Sequence, residues 1–464
     1  MGFTYHPPTR TKCEICEKIS NKHEKALIST ADGRASSADN FPFHNWYNFV
    51  LGYTPKFPDY IIEREGVPRD AVIADPFMGS GTTLLCAKQH GFKSAGVDAN
   101  DFFEFTARTK LNWNIDTKLA RKIEAEVLTK LSEVFSEYKF PETTKNLTIF
   151  NENGRKDYKK FADKNRIKAL PERYISDAPL TRLLLLKDIL ANYKYPDESI
   201  KSLFSLAFTT ITLPASNVYY GPGFGVRKPK VDADVYGLFK KKIDRMITDL
   251  EQADTSRTSI EAKTCLGDAR KMTECFGENS VDLMITSPPY PGDHEYTKHS
   301  KLELIFMNFA TDLDEFRIIK KRMLRGSTTN VYKEDIDGDL VRDISSIKEV
   351  TDEIAHRLEA DGATSGFEKL YTKLVWEYFG GMYRVFQEAN KTLKPGGKFV
   401  LLVSDSHAFK MVHIKTAEIL AETAVKAGMV NPHIELWQNK LSTSHKYNLF
   451  EEVLTVERPK HREA

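Results

Sequence analysis

Two short stretches of this chain combine residue types and spacings that could do chemistry. The first is Asp75-Pro76-Phe77-Met78-Gly79-Ser80-Gly81-Thr82, a glycine turn after the apolar run Ala71-Val72-Ile73-Ala74. Gly79 and Gly81 carry no Cβ, so a ligand can approach the backbone there. The amides opening the next helical segment offer donors and a positive dipole end to a carboxylate. A second apolar run, Ser94 to Val97, ends in Asp98, where an acidic side chain can accept hydrogen bonds from ribose hydroxyls. Together these residues read as a nucleoside-binding edge. The turn lacks Gly-Lys-[Ser/Thr] for a triphosphate and is not G-x-G-x-x-G. The second stretch, Ser287-Pro288-Pro289-Tyr290, follows the apolar run Val281 to Ile285. Its prolines fix the backbone and remove their own donors, so carbonyl oxygens face outward. The Ser287 hydroxyl and the Pro288 carbonyl can then accept hydrogen bonds from one exocyclic NH2 group. Tyr290 can stack on a base withdrawn from a duplex, a contact worth roughly 1–3 kcal/mol.

DPFMGSGTT resembles motif I of the amino-group (N4-cytosine or N6-adenine) DNA methyltransferases, which bind S-adenosylmethionine. The resemblance implies that the turn from Asp75 through Pro76, Gly79, Ser80, Gly81 and Thr82 holds the methionine part of that cofactor. It also implies that Phe77 packs near the adenine and that Asp98 takes the ribose. Asp268, in Gly267-Asp268-Ala269 at a later strand end, is a further cofactor-binding candidate. Tyr53-Thr54-Pro55-Lys56-Phe57-Pro58 loosely resembles motif X of the same family, which lines the methionine side; Tyr53 and Thr54 are the candidates there. Thr286-Ser287-Pro288-Pro289-Tyr290 resembles motif IV, written [D/N/S]-P-P-[Y/F/W], and makes Ser287, Pro288, Pro289 and Tyr290 the catalytic candidates. The serine form leans towards cytosine N4, the aspartate form being the usual adenine-N6 version. An aromatic amine delocalises its lone pair into the ring. Holding both N–H groups out of plane, with the nitrogen facing a sulfonium methyl, makes direct displacement possible, and alignment can contribute up to about 10 kcal/mol. Ring-carbon methylation would need a cysteine after proline, and no Cys here follows a Pro.

These residues need a sheet whose strand ends meet. Phe102 to Trp113 can form a helix after Asp98. Thr264 to Leu266, Val281 to Ile285, Lys398 to Val403, His433 to Gln438 and Glu451 to Glu457 read as further strands. A long amphipathic helix is expected over Tyr371 to Lys391 and another from about Ile414 to Ala427. LKPGGKFVLLV is a common feature of Rossmann-like methyltransferases, by resemblance. The expected fold is α/β, Rossmann-like, with a seven-stranded, mostly parallel sheet and a large, mainly helical insert. Residues 41–114 and 256–464 form the expected catalytic domain. Residues 115–255 form the insert, with apolar three- and four-residue spacing over Leu119 to Tyr138, Leu180 to Leu190, Ile200 to Thr210 and Val235 to Leu250. A second insert spans 312–368, and residues 1–40 are expected to be partly mobile.

The 464 residues carry 67 Lys+Arg against 65 Asp+Glu, so a nucleic-acid surface must come from local clustering. Asn217, Arg227, Lys228 and Lys230 surround an aromatic, glycine-rich loop suited to backbone contacts. Lys320, Lys321, Arg322 and Arg325 follow the serine turn and are the first choice for phosphates. The expected partner is double-stranded DNA, with a cognate restriction endonuclease acting on the same site. No apolar run approaches the roughly 20 residues that span a membrane, and no signal-peptide core stands at the start, which points to the cytoplasm. Five cysteines fit a reducing compartment. Cys13-x-x-Cys16 with His23 is half a zinc pattern with no second pair to complete it. His294, Glu295 and His299 read as loop and helix-start residues rather than metal ligands, since transfer from a sulfonium needs no metal. The motif order, I before IV, is opposite to that of many serine-type N4 enzymes. An adenine-N6 DNA enzyme, an RNA guanine-N2 methyltransferase and a non-catalytic nucleic-acid-binding protein of the same fold remain open.

Overall fold

Strand β1 (Val72–Asp75) is short and almost wholly apolar, and Ile73 and Ala74 are fully buried, as in a parallel strand covered on both faces. The computed structural model containing it describes residues 27, 41–47, 49, 52–141, 155–220, 224–292, 295–362, 365–441 and 448–460. The Cys13/Cys16/His23 pattern, the expected mobile segment 1–40 (Leu27 apart), His294 and the loop 221–223 lie outside these residues.

After β1 come the helix Thr82–His90 and β2 (Lys93–Asp98). Gly91 stops that helix in the left-handed region, its amide bonding back to Ala87 and Lys88. The helix Asp101–Leu111 is capped by Asn100, whose side chain accepts from the Phe102 amide. The chain then leaves the sheet for the helices Thr117–Ser136, Tyr158–Asn165, Asp177–Asn192, Glu198–Ala215 and Val235–Glu251. Between the last two lies a hairpin, β3 (Val218–Tyr220) with β4 (Phe224–Val226). These helices share one apolar cluster with Leu84, Phe102, Phe103 and the helix Lys301–Phe306, so their burial is continuous with the sheet's flank.

The alternation resumes with β5 (Ala262–Leu266), β6 (Val281–Thr286), β7 (Leu393–Ser404), β8 (Val430–Leu441) and β9 (Asn448–Glu457). Seven strands form one sheet in the order β5-β2-β1-β6-β7-β9-β8. Pairings are parallel from β5 to β7, and β9 runs antiparallel to both its neighbours. The sheet is therefore mostly parallel, as expected. The chain reverses its direction of winding between β1 and β6, the position where open α/β sheets leave a crevice at the strand ends. β7 begins earlier than its sequence suggests. Leu393 already pairs with Val281, and the Lys-Pro-Gly-Gly stretch bulges out before Lys398 meets Leu283.

Cys265 on β5 and Cys275 are joined in a disulfide, because the turn after β5 brings their Cα atoms to 6.2 Å. Cys86 is a buried free thiol. Among the described residues no helix is long and apolar enough to cross a membrane.

Candidate active site

The end of β1 opens into the glycine turn. Gly79 and Gly81 adopt φ of +50° and +88°, conformations that residues with a Cβ rarely take. A Cβ on Gly81 would sit 3.0 Å from the Ala107 Cβ, so close packing on the helix Asp101–Leu111 also demands glycine. The turn is held to β2 by backbone, since the Met78 amide donates to the Val97 carbonyl at 3.1 Å. Underneath, the buried Lys110 donates from Nζ to the Ser80 carbonyl at 3.1 Å, and burial pushes its ammonium down to about 7.

Asp98 ends β2 facing this turn. Its carboxylate accepts from the Gly79 amide at 2.9 Å and from the Asn100 amide at 2.8 Å. Burial pushes the carboxyl up to about 7 against the pull of those amides. Asp75 is more deeply placed, with no exposed surface. It accepts from the Phe77 amide, the Tyr53 hydroxyl and the Thr286 hydroxyl. Burial pushes it up to about 6, and those bonds hold it back.

The turn and the serine motif open onto one cleft. Pro76, Phe77, Gly79, Ser80, Thr82 and Asp98 line it together with Ser287 and Pro289, whereas Asp75, Gly81, Pro288 and Tyr290 are not part of its lining. Ser287 Oγ lies 3.1 Å from the Tyr290 hydroxyl. Gly326 packs on this loop, where a Cβ would come within 3.3 Å of the Tyr290 carbonyl, and its own carbonyl accepts from the Gly292 amide at 3.0 Å.

Several lining residues were not singled out from the sequence. Phe49, Phe103 and Tyr296 form an aromatic end wall, and Met323 and Leu324 another apolar face. Phe49 and Phe103 rings lie 4.6 Å apart. Phe49 belongs to the aromatic run Phe41 to Tyr53 before β1. Tyr53 lines the cleft, whereas Thr54 is fully buried behind it.

Other expected contacts stand elsewhere. Asp268 does not line the cleft but grips the Arg270 guanidinium, whose other arm reaches Asp337. Asn217 is buried, its side chain donating to the Arg173 carbonyl and accepting from the Lys230 amide, so it braces the hairpin rather than facing outward. Lys230 Nζ donates to the Pro214 carbonyl. Arg325 is buried on Asp335 and the Met323 carbonyl. Lys320 pairs with the buried Glu295 at 3.1 Å and Lys321 with Glu334 at 3.3 Å. Arg322 turns inward: it pairs with Asp101 and lines the cleft. Arg227, over the Tyr219 ring, and Lys228 are exposed.

Comparison with known proteins agrees with this geometry. Residues 39–108, which span the glycine turn and Asp98, match the DNA methylase family of N6/N4 methyltransferases. The chain is 24% identical to the type II methyltransferase M.BsoBI of Geobacillus stearothermophilus, over 79% of this chain and 74% of that protein. It is 23% identical to the type II methyltransferase M.MvaI of Kocuria varians, over 82% and 80% of the two chains. It is also 23% identical to the type II methyltransferase M.MjaII of Methanocaldococcus jannaschii, over 64% and 67%. Behind the matched turn stands a seven-stranded, mostly parallel sheet, so in sequence and architecture the chain is similar to the N6/N4 amino-group DNA methyltransferases, whose methyl donor is S-adenosylmethionine.

Proposed function

We propose that this chain transfers a methyl group from S-adenosylmethionine to the exocyclic amine of a base flipped out of duplex DNA, cytosine N4 in preference to adenine N6. In this reading it is the cytoplasmic modification enzyme of a type II restriction–modification system, sharing its site with a cognate endonuclease. The observation that carries the reading is one cleft lined by both Gly79 and Ser287.

The residues present fit the donor. A Cβ at Gly79 would meet nothing nearer than the Phe49 ring at 3.9 Å, so the turn leaves room there, and the Asp98 carboxylate lines the same cleft. Bound there, S-adenosylmethionine supplies an electrophilic methyl group on sulfur. Ser287 Oγ and the Pro288 carbonyl accept the two amine hydrogens and fix the nitrogen's direction. Tyr290 stacks on the base, and the aromatic wall of Phe49, Phe103 and Tyr296 excludes water, so the amine rather than solvent meets the methyl group.

Exposed Arg227 and Lys228 and the 38% exposed Tyr219 are the proposed DNA contacts of the hairpin. The hairpin is tied to the acceptor side, since the Tyr220 hydroxyl donates to Glu303 at 3.3 Å and its ring lies 5.4 Å from that of His299. Lys320 and Lys321 at the rim of the second insert are proposed to add phosphate contacts by exchanging their carboxylate partners.

The test is incubation with tritiated donor and unmodified duplex DNA, then RNA, followed by digestion to nucleosides. Label in N4-methylcytosine is expected. Label in N6-methyladenine would change the base, and label in RNA alone would overturn the DNA reading.

A further inference from the structure

The carboxylate of Asp75 lies at the junction of three chain segments and is bonded to each of them. Oδ1 accepts from Thr286 Oγ1 at 2.6 Å and from the Phe77 amide at 2.9 Å. Oδ2 accepts from the Tyr53 hydroxyl at 2.9 Å. Phe77 opens the glycine turn, Thr286 immediately precedes Ser287, and Tyr53 belongs to the segment before β1. Asp75 has no exposed surface and is absent from the wall of the cleft, although the turn it begins forms that wall.

The ladder that joins β1 directly to β6 stops short of this junction, although each strand end stays paired with its other neighbour, Asp75 with Gly96 and Thr286 with Leu401. The paired registers of β1 and β6 are Ile73 with Leu283 and Ala74 with Met284, so both chains pass beyond the ladder before they reach the reactive residues. A second bond beside it, from Thr83 Oγ1 to the Ile285 carbonyl at 3.2 Å, joins the helix after the turn to the same strand end. A carboxylate accepting several hydrogen bonds in a dry site is costly to loosen, because any partner that leaves exposes an unsatisfied buried charge.

We propose that Asp75 is a positioning residue that sets the distance between the donor turn and the amine-holding loop through Thr286, and that it does not touch the donor. The proposal rests on the methyl-transfer reading of the cleft. Direct displacement requires nitrogen, methyl carbon and sulfur in line, and a misplacement of about 1 Å can cost roughly 10²-fold in rate.

The experiment compares Thr286→Val, Thr286→Ser and Asp75→Asn with the parent chain. Three quantities are read: affinity for the donor analogue sinefungin, single-turnover transfer to DNA at saturating donor, and amide exchange in peptides covering 283–292. Thr286→Val and Asp75→Asn are expected to keep donor affinity within about threefold, to slow transfer roughly 10²-fold and to speed exchange in that peptide. Thr286→Ser, which restores the hydroxyl, is expected to regain the parent's rate and protection. Loss of donor affinity in Asp75→Asn, with Thr286→Val unchanged in rate and exchange, would make Asp75 a donor ligand and overturn the proposal. If the parent chain transfers nothing to DNA, the methyl-transfer reading falls; the exchange comparison still decides whether Asp75 ties the two strand ends.

Discussion

The two sides of the cleft are built from different materials. On the donor side the shape is made by backbone: positive-φ glycines, the Gly79 and Asn100 amides on Asp98, and the Lys110 ammonium under the Ser80 carbonyl. On the proposed acceptor side two side chains, Ser287 and Tyr290, are bonded to each other at 3.1 Å beside the Pro288 carbonyl on a proline-stiffened turn. The difference teaches where each side is vulnerable. A backbone-built site tolerates most side-chain exchanges but not a new Cβ or the loss of Asp98. A side-chain-built site loses its chemistry with one truncation and keeps its shape.

That contrast predicts its largest effect at the acceptor turn. Ser287→Ala and Tyr290→Ala are each expected to lower single-turnover transfer by roughly 10²–10³-fold while leaving sinefungin affinity near that of the parent. Loss of analogue binding in either would erase the distinction between the sides. The rim offers the next comparison, between buried and exposed cations. Arg325→Ala removes one partner of a buried pair with Asp335 and should destabilise the fold by about 3 kcal/mol in a denaturant melt, without changing the salt dependence of DNA binding.

On the donor side, Asp98→Ala should weaken donor affinity by roughly tenfold, as expected for loss of charged hydrogen bonds to ribose. The sign of its pH dependence follows from the carboxyl sitting at about 7. The ionised form accepts from hydroxyls, so donor affinity should rise as pH increases through about 7 and fall below it; calorimetry across that range should find the slope absent in Asp98→Asn. Gly81→Ala meets both a φ of +88° and the Ala107 Cβ, and a loss of about 1–2 kcal/mol in thermal stability is expected. Smallest of all, Lys228→Ala should weaken DNA binding evenly across sequences and reduce the salt slope by about 1.

What could be read from the sequence was local. The turn from Asp75 to Thr82, Asp98 at the next strand end, and the Ser287–Tyr290 turn each declare themselves within a few residues, because strand, glycine and proline patterns act at short range. Their convergence on one cleft depends on β6 lying beside β1, which the alternation of elements implied but no single residue states. Charge misled where pairing is long-range. Arg322 and Arg325 sit in one basic run, yet one turns to Asp101 and the other to Asp335. Asp268 looked like a strand-end ligand until Arg270, two residues on, claimed it. Phe103 and Tyr296 reach the cleft from helix and loop positions that their neighbours in sequence do not distinguish. The antiparallel run of β9 was equally silent, since a strand's apolar alternation carries no direction.

The central claim is that the ends of β1 and β6 bring a sulfonium donor and a base amine together. A crystal structure of the chain with S-adenosylhomocysteine and a duplex containing its target site tests this most directly. Ribose hydroxyls on Asp98, the sulfur opening towards Ser287, and an extruded base whose amine bonds to Ser287 and Pro288 are the expected result. A nucleoside bound away from Gly79, or a base amine held apart from the Ser287 turn, would contradict it.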